Sequence, residues 1–261
     1  QEKNVVNAAI AKMNLFLHGA SDFNVMQGDT LRDPKILQGG NIAKFDCVIA
    51  NPPFSLENWG ATEWSSDKYK RNIYGTPSDS CGDYAWIQHM ICSMVSGQGR
   101  MAVVMPQGIL FRNQETEIRK QLVESDLIEA VVTLGDKLFY GTGLSPCFLI
   151  IRRMKPAHHS GRILMIDGSK ILTQKRAQNI LEENDIDRLY SLYQNYSDEE
   201  DYSRIVTLQE IRDKEYNLSP NRYVVYHKEE IRPYAEVLAE FKHAYEEVKR
   251  LEEEFSLLIN A

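Results

Sequence analysis

The stretch that decides the fold is FDCVIANPPF, residues 45–54. Its first six residues form an apolar run of the length of a buried strand, and Asn51-Pro52-Pro53 ends that run abruptly. Outward from this stretch, the pattern predicts further strands at 100–105, 127–134 and 145–152 and helices at 83–95 and 115–124. Strands that alternate with helices in this way indicate an α/β domain with a mostly parallel sheet.

Two connections refine this prediction. Residues 135–144, which join the last two of these strands, are too few for a normal parallel crossover and have no helical pattern, so we expect an antiparallel pair there. Nearer the start of the chain, residues 4–18 have apolar side chains at helical spacing, and residues 23–27 are typical of a short strand. Residues 55–80 are rich in Ser, Gly and Pro, which predicts a loop.

The sequence changes in character after Lys155. We expect a catalytic domain at 1–155, a polar, Tyr-rich α extension at 156–232 with one more strand at 162–166, and a long helix at 233–261. In this last part apolar residues recur at three- and four-residue steps, at Leu238, Phe241, Tyr245, Val248, Leu251, Phe255 and Leu258. Such a helix either packs on its own domain or docks on a helical partner.

Composition limits the class of protein. The net charge of −7 argues against a broad grip on DNA, so a DNA enzyme of this kind needs a local basic cleft or a partner that supplies phosphate contacts. No apolar run is long enough to cross a bilayer and no signal peptide opens the chain, so we expect a cytoplasmic protein. The cysteines lack the spacing of metal ligands, which predicts reduced thiols and no metal site; they are Cys47, Cys81, Cys92 and Cys147.

Asn51-Pro52-Pro53-Phe54 combines the residue types that methylation of an exocyclic amino group requires. The lone pair of such a group is delocalised into the base, and two acceptors directed at its hydrogens favour the pyramidal form that attacks. The Asn51 carboxamide oxygen and the Pro52 carbonyl can be these acceptors, while Pro53 stiffens the turn. Phe54 can stack on a base that has left the duplex. The alternative is a rigid turn after a core strand.

Residues 45–54 resemble the catalytic motif of S-adenosylmethionine-dependent methyltransferases that act on amino nitrogens, a group with DNA, RNA and protein-glutamine substrates. Over nearly its whole length the chain also resembles the adenine-N6-specific modification subunit of type I restriction–modification systems. The segments that carry this second resemblance are QEKN 1–4, AKMNL 11–15, HG 18–19, GDTL 28–31, GDYAW 82–86, QHM 88–90, MPQGILFR 105–112, LFYGTG 138–143 and YNLS 216–219.

The resemblance implies DNA adenine-N6 methylation with S-adenosylmethionine as the cofactor. It gives Glu2 a role at the cofactor ribose and Asp29 a role as acceptor for the amino group of the cofactor adenine, beside Asn51. Phe139 or Tyr140 would cover the second face of the flipped base. The alternatives are a frayed terminal side chain for Glu2, a turn residue for Asp29, and core packing for the two aromatic residues.

The resemblance also implies partners and a missing part. The partners are DNA and the specificity and restriction subunits of the complex, with the long C-terminal helix docking on the specificity subunit. The family's helical domain and glycine-rich cofactor loop are expected before Gln1, so we expect a fragment whose Rossmann-like sheet lacks its N-terminal strands, and which alone binds cofactor weakly and is inactive. The strand edges at 23–27 and 45–50 would then pair directly or recruit a second molecule.

Two other interpretations stay open. One is an RNA or protein-glutamine amino-methyltransferase, and the other is a non-catalytic scaffold subunit. Four basic residues are candidate DNA contacts, with solvated surface as the alternative; they are Arg100, Arg112, Arg119 and Lys120.

Overall fold

The apolar runs form strands as expected. The computed structural model describes residues 1–140, 142–176, 178–227 and 234–259. Its strands are β1 (Leu37–Gln38), β2 (Asn41–Ile42), β3 (Cys47–Ala50), β4 (Arg100–Pro106), β5 (Ile128–Leu134), β6 (Pro146–Arg152), β7 (Arg162–Gly168) and β8 (Ser203–Thr207). Its helices are α1 (Val5–Leu17), α2 (Ala61–Ser65), α3 (Asp83–Cys92), α4 (Thr116–Glu124), α5 (Glu183–Asn195), α6 (Leu208–Asp213) and α7 (Tyr234–Ile259). None of these described helices is long and apolar enough to span a bilayer.

Six of the strands form one mixed sheet in the order β3-β4-β6-β5-β7-β8. Strands β3, β4, β5 and β7 run in the same direction, because β3 is parallel to β4, β5 is parallel to β7, and β6 is antiparallel to both β4 and β5. The antiparallel pair predicted from the short connection is therefore confirmed. The carboxyl ends of the four parallel strands all lie at one edge of the sheet, the edge at which open α/β sheets bind ligands.

Both faces of the sheet are covered. All seven residues of β5 are buried, which is the pattern of a central strand with helices on each side. Val131 packs in one core cluster with residues of α3 and α4, whereas Ala130 and Val132 pack in a second cluster with Leu192 of α5. Successive side chains of a strand point to opposite faces, so one apolar run supplies both cores.

The other local predictions have mixed outcomes. The helices predicted at 4–18, 83–95 and 115–124 are confirmed as α1, α3 and α4, and the predicted loop contains the short helix α2. The strand predicted at 23–27 is wrong, since only one parallel bridge, Glu2 to Gln27, forms there. Direct pairing of this segment with 45–50 is also wrong, because β4 is the one strand beside β3 in the described sheet, and the alternative, recruitment of a second molecule, stays a prediction. Without a neighbour to receive its hydrogen bonds, a short apolar run does not become a strand.

The sheet continues past residue 155. Strand β7 lies beside β5, and β8 lies beside β7 at the edge. The extension drawn at 156–232 therefore contributes two strands to the main sheet besides α5 and α6, and is not purely helical. By its internal contacts the chain divides into the units Gln1–Val225 and Tyr226–Ala261.

The second unit contains the predicted long helix. It is confirmed as α7, and within it the Phe241 and Tyr245 rings stack with centroids 6.3 Å apart. The predicted first residue, Pro233, and the last two residues of the chain lie outside the described residues. Docking of this helix on its own domain or on a partner stays a prediction.

A buried arginine connects the loop between β3 and α3 to the N-terminal segment. The Arg71 side chain is 1% exposed. It donates to both carboxylate oxygens of Asp67 at 2.8 and 3.0 Å and to the carbonyls of Thr30 and Leu31 at 2.8 and 2.6 Å. Its guanidinium also lies over the Trp64 ring at 4.5 Å. A buried charge is tolerated only when it is paired and hydrogen-bonded, and this one is both.

Replacing this arginine tests the connection. We expect Arg71→Met to lower the free energy of unfolding by about 3–5 kcal/mol, because the Asp67 carboxylate and two carbonyls lose their donor. Urea denaturation followed by circular dichroism measures the change. Arg162→Met, at an exposed arginine, is the control and should stay within about 0.5 kcal/mol of the unchanged protein. Equal midpoints for the two variants would contradict the assignment.

Candidate functional site

The candidate turn, residues 51–54, directly follows β3 at the carboxyl edge of the sheet. Asn51 is exposed and Pro52 is buried. Within the part of the chain that the structure describes, neither the Asn51 carboxamide nor the Pro52 carbonyl forms a hydrogen bond. Both predicted acceptors are therefore unpartnered, and a donor that enters beside them can meet both.

The turn opens on a cavity of about 650 Å³. Five of the residues predicted from the sequence line it together, namely Glu2, Asp29, Asn51, Pro52 and Pro53. The remaining wall is largely apolar and includes Ile36, Ile42, Phe45, Val48, Ile49 and Trp86. A mostly apolar cavity with a few convergent polar groups is the usual form of a small-molecule site.

Glu2 is held in place by its backbone. Its N–H donates to the carbonyl of Met26 at 3.0 Å, and its carbonyl accepts from the N–H of Gly28 at 3.0 Å. One carboxylate oxygen accepts from the N–H of Asn4 at 2.8 Å, just before α1. These contacts hold Glu2 in the wall of the cavity, and its role at a cofactor stays a prediction.

Asp29 is both a turn residue and part of the cavity wall. Its Oδ1 accepts from the N–H groups of Leu31 and Arg32 at 3.1 and 3.2 Å, and its Oδ2 pairs with Lys3 Nζ at 3.0 Å. Burial raises the pKa of the Asp29 carboxyl, but the Lys3 ammonium and the two backbone donors outweigh it and leave that pKa below its ordinary value. Asp29 is thus an anionic acceptor at neutral pH.

The two aromatic residues predicted to cover the flipped base lie in different surroundings. Phe54, half-buried, meets Phe139 edge to face, with ring centroids 6.2 Å apart and an interplanar angle of 86°. The structure therefore brings Phe139 from the loop after β5 to the candidate turn. Tyr140 is 92% exposed and has no ring contact within the described residues. Gly141, in the same segment, lies outside the described residues.

A buried carboxylate behind the turn is a functional candidate that the sequence reasoning did not single out. Asp83 is fully buried at the start of α3, and its Oδ1 accepts from the N–H of Ser55 at 2.7 Å. Its Oδ2 accepts from Arg112 Nη2 at 2.5 Å, and Arg112 Nε donates to Glu115 at 3.0 Å. Ser55, which follows Phe54, has a φ of 50°, a left-handed conformation that needs such support. We call Asp83, Arg112 and Glu115 the carboxylate clamp.

His89 is a second residue that the sequence reasoning left without a role. It lines the cavity, and its Nδ1 lies 3.2 Å from Arg71 Nη1. Burial, followed by the charge of Arg71, lowers the pKa of the His89 imidazole to about 3. This part of the wall therefore carries a neutral ring at physiological pH. Among the described residues, no group of three His, Cys, Asp or Glu side chains is arranged to hold a metal ion.

Comparison with known proteins places this geometry in a family. The chain is similar to the methylase subunits of two type I restriction enzymes of Methanocaldococcus jannaschii. It is 36% identical to MjaVII over 97% of this chain and 45% of that subunit, and 34% identical to MjaVIII over 86% and 40%. A solved type I restriction-modification methyltransferase subunit from Streptococcus thermophilus superposes with a TM-score of 0.77 at 28% identity, over 85% of this chain and 47% of that one.

The chain spans about half the length of these relatives. The mixed α/β sheet is the fold that it shares with the Streptococcus thermophilus subunit. A family model described as N-6 DNA Methylase matches residues 1–231, which include the whole sheet, the cavity and the candidate turn. The chain therefore belongs to the N-6 DNA Methylase family.

Proposed function

We propose that this chain is the catalytic part of a type I restriction–modification methyltransferase subunit, which transfers a methyl group from S-adenosylmethionine to N6 of adenine in DNA. The observation that carries the proposal is the pair of unpartnered acceptors, the Asn51 carboxamide and the Pro52 carbonyl, at the mouth of a cavity that also contains two carboxylates. Membership of the N-6 DNA Methylase family supports the same chemistry. The specificity and restriction subunits are the proposed partners, and the cytoplasm the proposed location.

The residues of the turn have separate tasks. A flipped adenine stacks on Phe54, and the Phe139 ring at its edge limits how far Phe54 can turn. The two N6 hydrogens are accepted by Asn51 and the Pro52 carbonyl, which localises the nitrogen lone pair for attack. Pro53 and the carboxylate clamp hold the turn in place on either side of Phe54, so that little reorganisation is needed when the base arrives.

The cavity fits a nucleoside cofactor. The Glu2 carboxylate suits a ribose diol, the Asp29 carboxylate suits an adenine amino group, and the apolar wall suits the face of a purine. S-adenosylmethionine supplies a methyl group on a positively charged sulfur, which needs no metal for its transfer. Glu2 and Asp29 would hold its nucleoside end, with Asn51 next to its reactive end.

The relation of this sheet to a complete methyltransferase sheet is also a proposal. We propose that the sheet is a methyltransferase sheet that lacks strands beside β3. Ile49, in β3, is 77% exposed, and Phe45 just before it is 45% exposed, so an apolar strand edge faces the cavity. Open edges of this kind recruit another strand, and such a strand would complete the cavity wall.

Residues 1–261 alone should therefore bind the cofactor weakly and transfer no methyl groups. The carboxylates at the nucleoside end are in place, but the wall at β3 is an open strand edge of the described sheet. Isothermal calorimetry of this chain with S-adenosylmethionine should give no saturable heat at micromolar concentrations. The full-length gene product is the positive control. A dissociation constant in the micromolar range for the 261 residues would contradict the proposal.

Asn51→Ala in the full-length gene product should abolish adenine methylation, because one of the two acceptors is lost. Sequencing that detects N6-methyladenine in the genome, in cells with and without the gene, measures it. Asn195→Ala, an exposed position at the end of α5, is the matched control and should leave methylation unchanged. Unchanged methylation in Asn51→Ala would favour a scaffold subunit. Methylated RNA or glutamine in place of adenine in DNA would favour the other enzymes.

Asp29→Asn should weaken cofactor binding more than it slows transfer. Asparagine can keep the turn but replaces a charged acceptor, which corresponds to a loss of affinity of about tenfold or more. Equilibrium binding of S-adenosylmethionine to the full-length gene product measures it, with Asp187→Asn on the exposed side of α5 as the control. Equal affinity in both variants would remove Asp29 from the cofactor site.

A further inference from the structure

A second large cavity lies outside the site described above. It has a volume of about 820 Å³ and runs between α4 and residues 212–222. Its lining contains the cations Arg119, Lys120, Arg212, Lys214 and Arg222. The acidic residues in the lining are Glu117 and Glu215. We call this cavity the basic groove, because its lining is cationic although the whole chain has a net charge of −7.

Two of these cations are available to a ligand. Lys120 and Arg222 are exposed, and within the described residues neither side chain has a hydrogen bond or an ion pair. Lys120 Nζ lies over the Tyr216 ring at 5.8 Å, a contact that leaves its charge unneutralised. Arg212 is occupied, because it forms two hydrogen bonds with the Glu124 carboxylate at 2.8 and 2.6 Å. Lys214 is occupied as well, since it donates to the carbonyl of Arg222.

Arg119 supplies a buried positive charge to the wall of the groove. It is 2% exposed, and its partners in the described residues are all neutral. They are the carbonyls of Tyr216 at 2.8 Å, Arg112 at 2.9 Å and Ile109 at 3.4 Å, and the hydroxyl of Thr116 at 3.3 Å. No carboxylate binds this guanidinium directly, so its charge acts on the groove with less screening than a charge in water.

An exposed aromatic ring joins the cations. Phe111 lines the groove and is 49% exposed. Aromatic rings among cations are the combination that binds nucleic-acid strands, since the rings contact bases or sugars and the cations contact phosphates. An acidic protein surface or a lone anion would not require this ring.

The groove begins next to the candidate turn. Phe111 comes five residues after the end of β4, which lies at the same edge of the sheet as Asn51. The next residue, Arg112, belongs to the carboxylate clamp, and through Asp83 it is connected to the N–H of Ser55. A DNA strand that is bound in the basic groove can therefore continue to the candidate turn.

We propose that the basic groove binds the phosphate backbone of DNA next to the base that is methylated, with Lys120 and Arg222 as phosphate contacts and Phe111 against a sugar or base. This inference rests on the proposed function and adds a DNA-binding surface to it. It also accounts for how an acidic chain approaches DNA, because attraction depends on the local field of the groove and not on the net charge.

The test measures binding and not methylation, so that it is independent of the catalytic proposal. The protein is the full-length gene product, and the probe is a fluorescein-labelled DNA duplex followed by anisotropy at several salt concentrations. Lys120→Ala/Arg222→Ala should bind about tenfold or more weakly at low salt. Its slope of log affinity against log salt should be shallower by about 1.8, or about 0.9 for each lost phosphate contact.

The control is Lys44→Ala/Arg162→Ala. It removes the same charge from two exposed cations, one just before β3 and one at the start of β7, at the opposite edge of the sheet. This variant should keep both the affinity and the slope of the unchanged protein. Asn51→Ala should also keep the slope, since it removes a base contact and no phosphate contact.

Three results would overturn the proposal. They are an unchanged affinity in the groove variant, an equal loss in the control variant, and a loss of affinity in the groove variant with no change in its salt slope. If the groove variant behaves as expected while Asn51→Ala still methylates DNA, the groove stands and the catalytic proposal fails. Circular dichroism and thermal unfolding of each variant confirm that it is folded.

Discussion

The buried Asp83 carboxylate is the contact on which the geometry of the candidate turn depends. Its two oxygens accept from the N–H of Ser55 and from Arg112, groups that lie far apart in sequence. The cost of burying this charge is met by the guanidinium, and the guanidinium is in turn shared with Glu115. The backbone after Phe54 can therefore stay left-handed at a non-glycine residue, and the Pro52 carbonyl and Phe54 ring keep their directions.

The carboxylate clamp gives a structural role to two of the segments that carry the family resemblance. Asp83 belongs to GDYAW and Arg112 to MPQGILFR, and neither segment contains a residue with an obvious role in methyl transfer. Both are needed if the turn is held from behind, since an acceptor that is free to move would have to be ordered by the arriving base. The same reasoning explains why Arg71 is buried, because it fixes the segment after Asp29 to the loop that follows the turn.

Much of the sheet could be predicted because its signals are local. Long apolar runs become β4, β5 and β6, and the short connection sets the antiparallel pair. The hairpin of β1 and β2 was missed although Gly39-Gly40, both at positive φ, is a typical two-residue hairpin turn. The strand at 23–27 and β8 show the limit of local patterns. The first lacks a neighbour, and the second is a short edge strand with only two of its five residues buried.

Part of the candidate site could likewise be predicted from local sequence, and part of it could not. The turn and its acceptors follow from residue types alone, and so does Asp29 as a turn residue. Glu2, Asp29 and Asn51 line one cavity, and their spacing in the sequence does not predict this. They meet because β3 ends close to the bridge between Glu2 and Gln27. The distribution of charge over the surface is the property that the sequence predicts least. The sum over the chain is negative, yet the surface between α4 and residues 212–222 is cationic, because folding pairs Arg212 with Glu124 and leaves Lys120 and Arg222 without a carboxylate partner among the residues that the structure describes. A net charge limits what a chain can bind only after the fold has decided which charges neutralise each other.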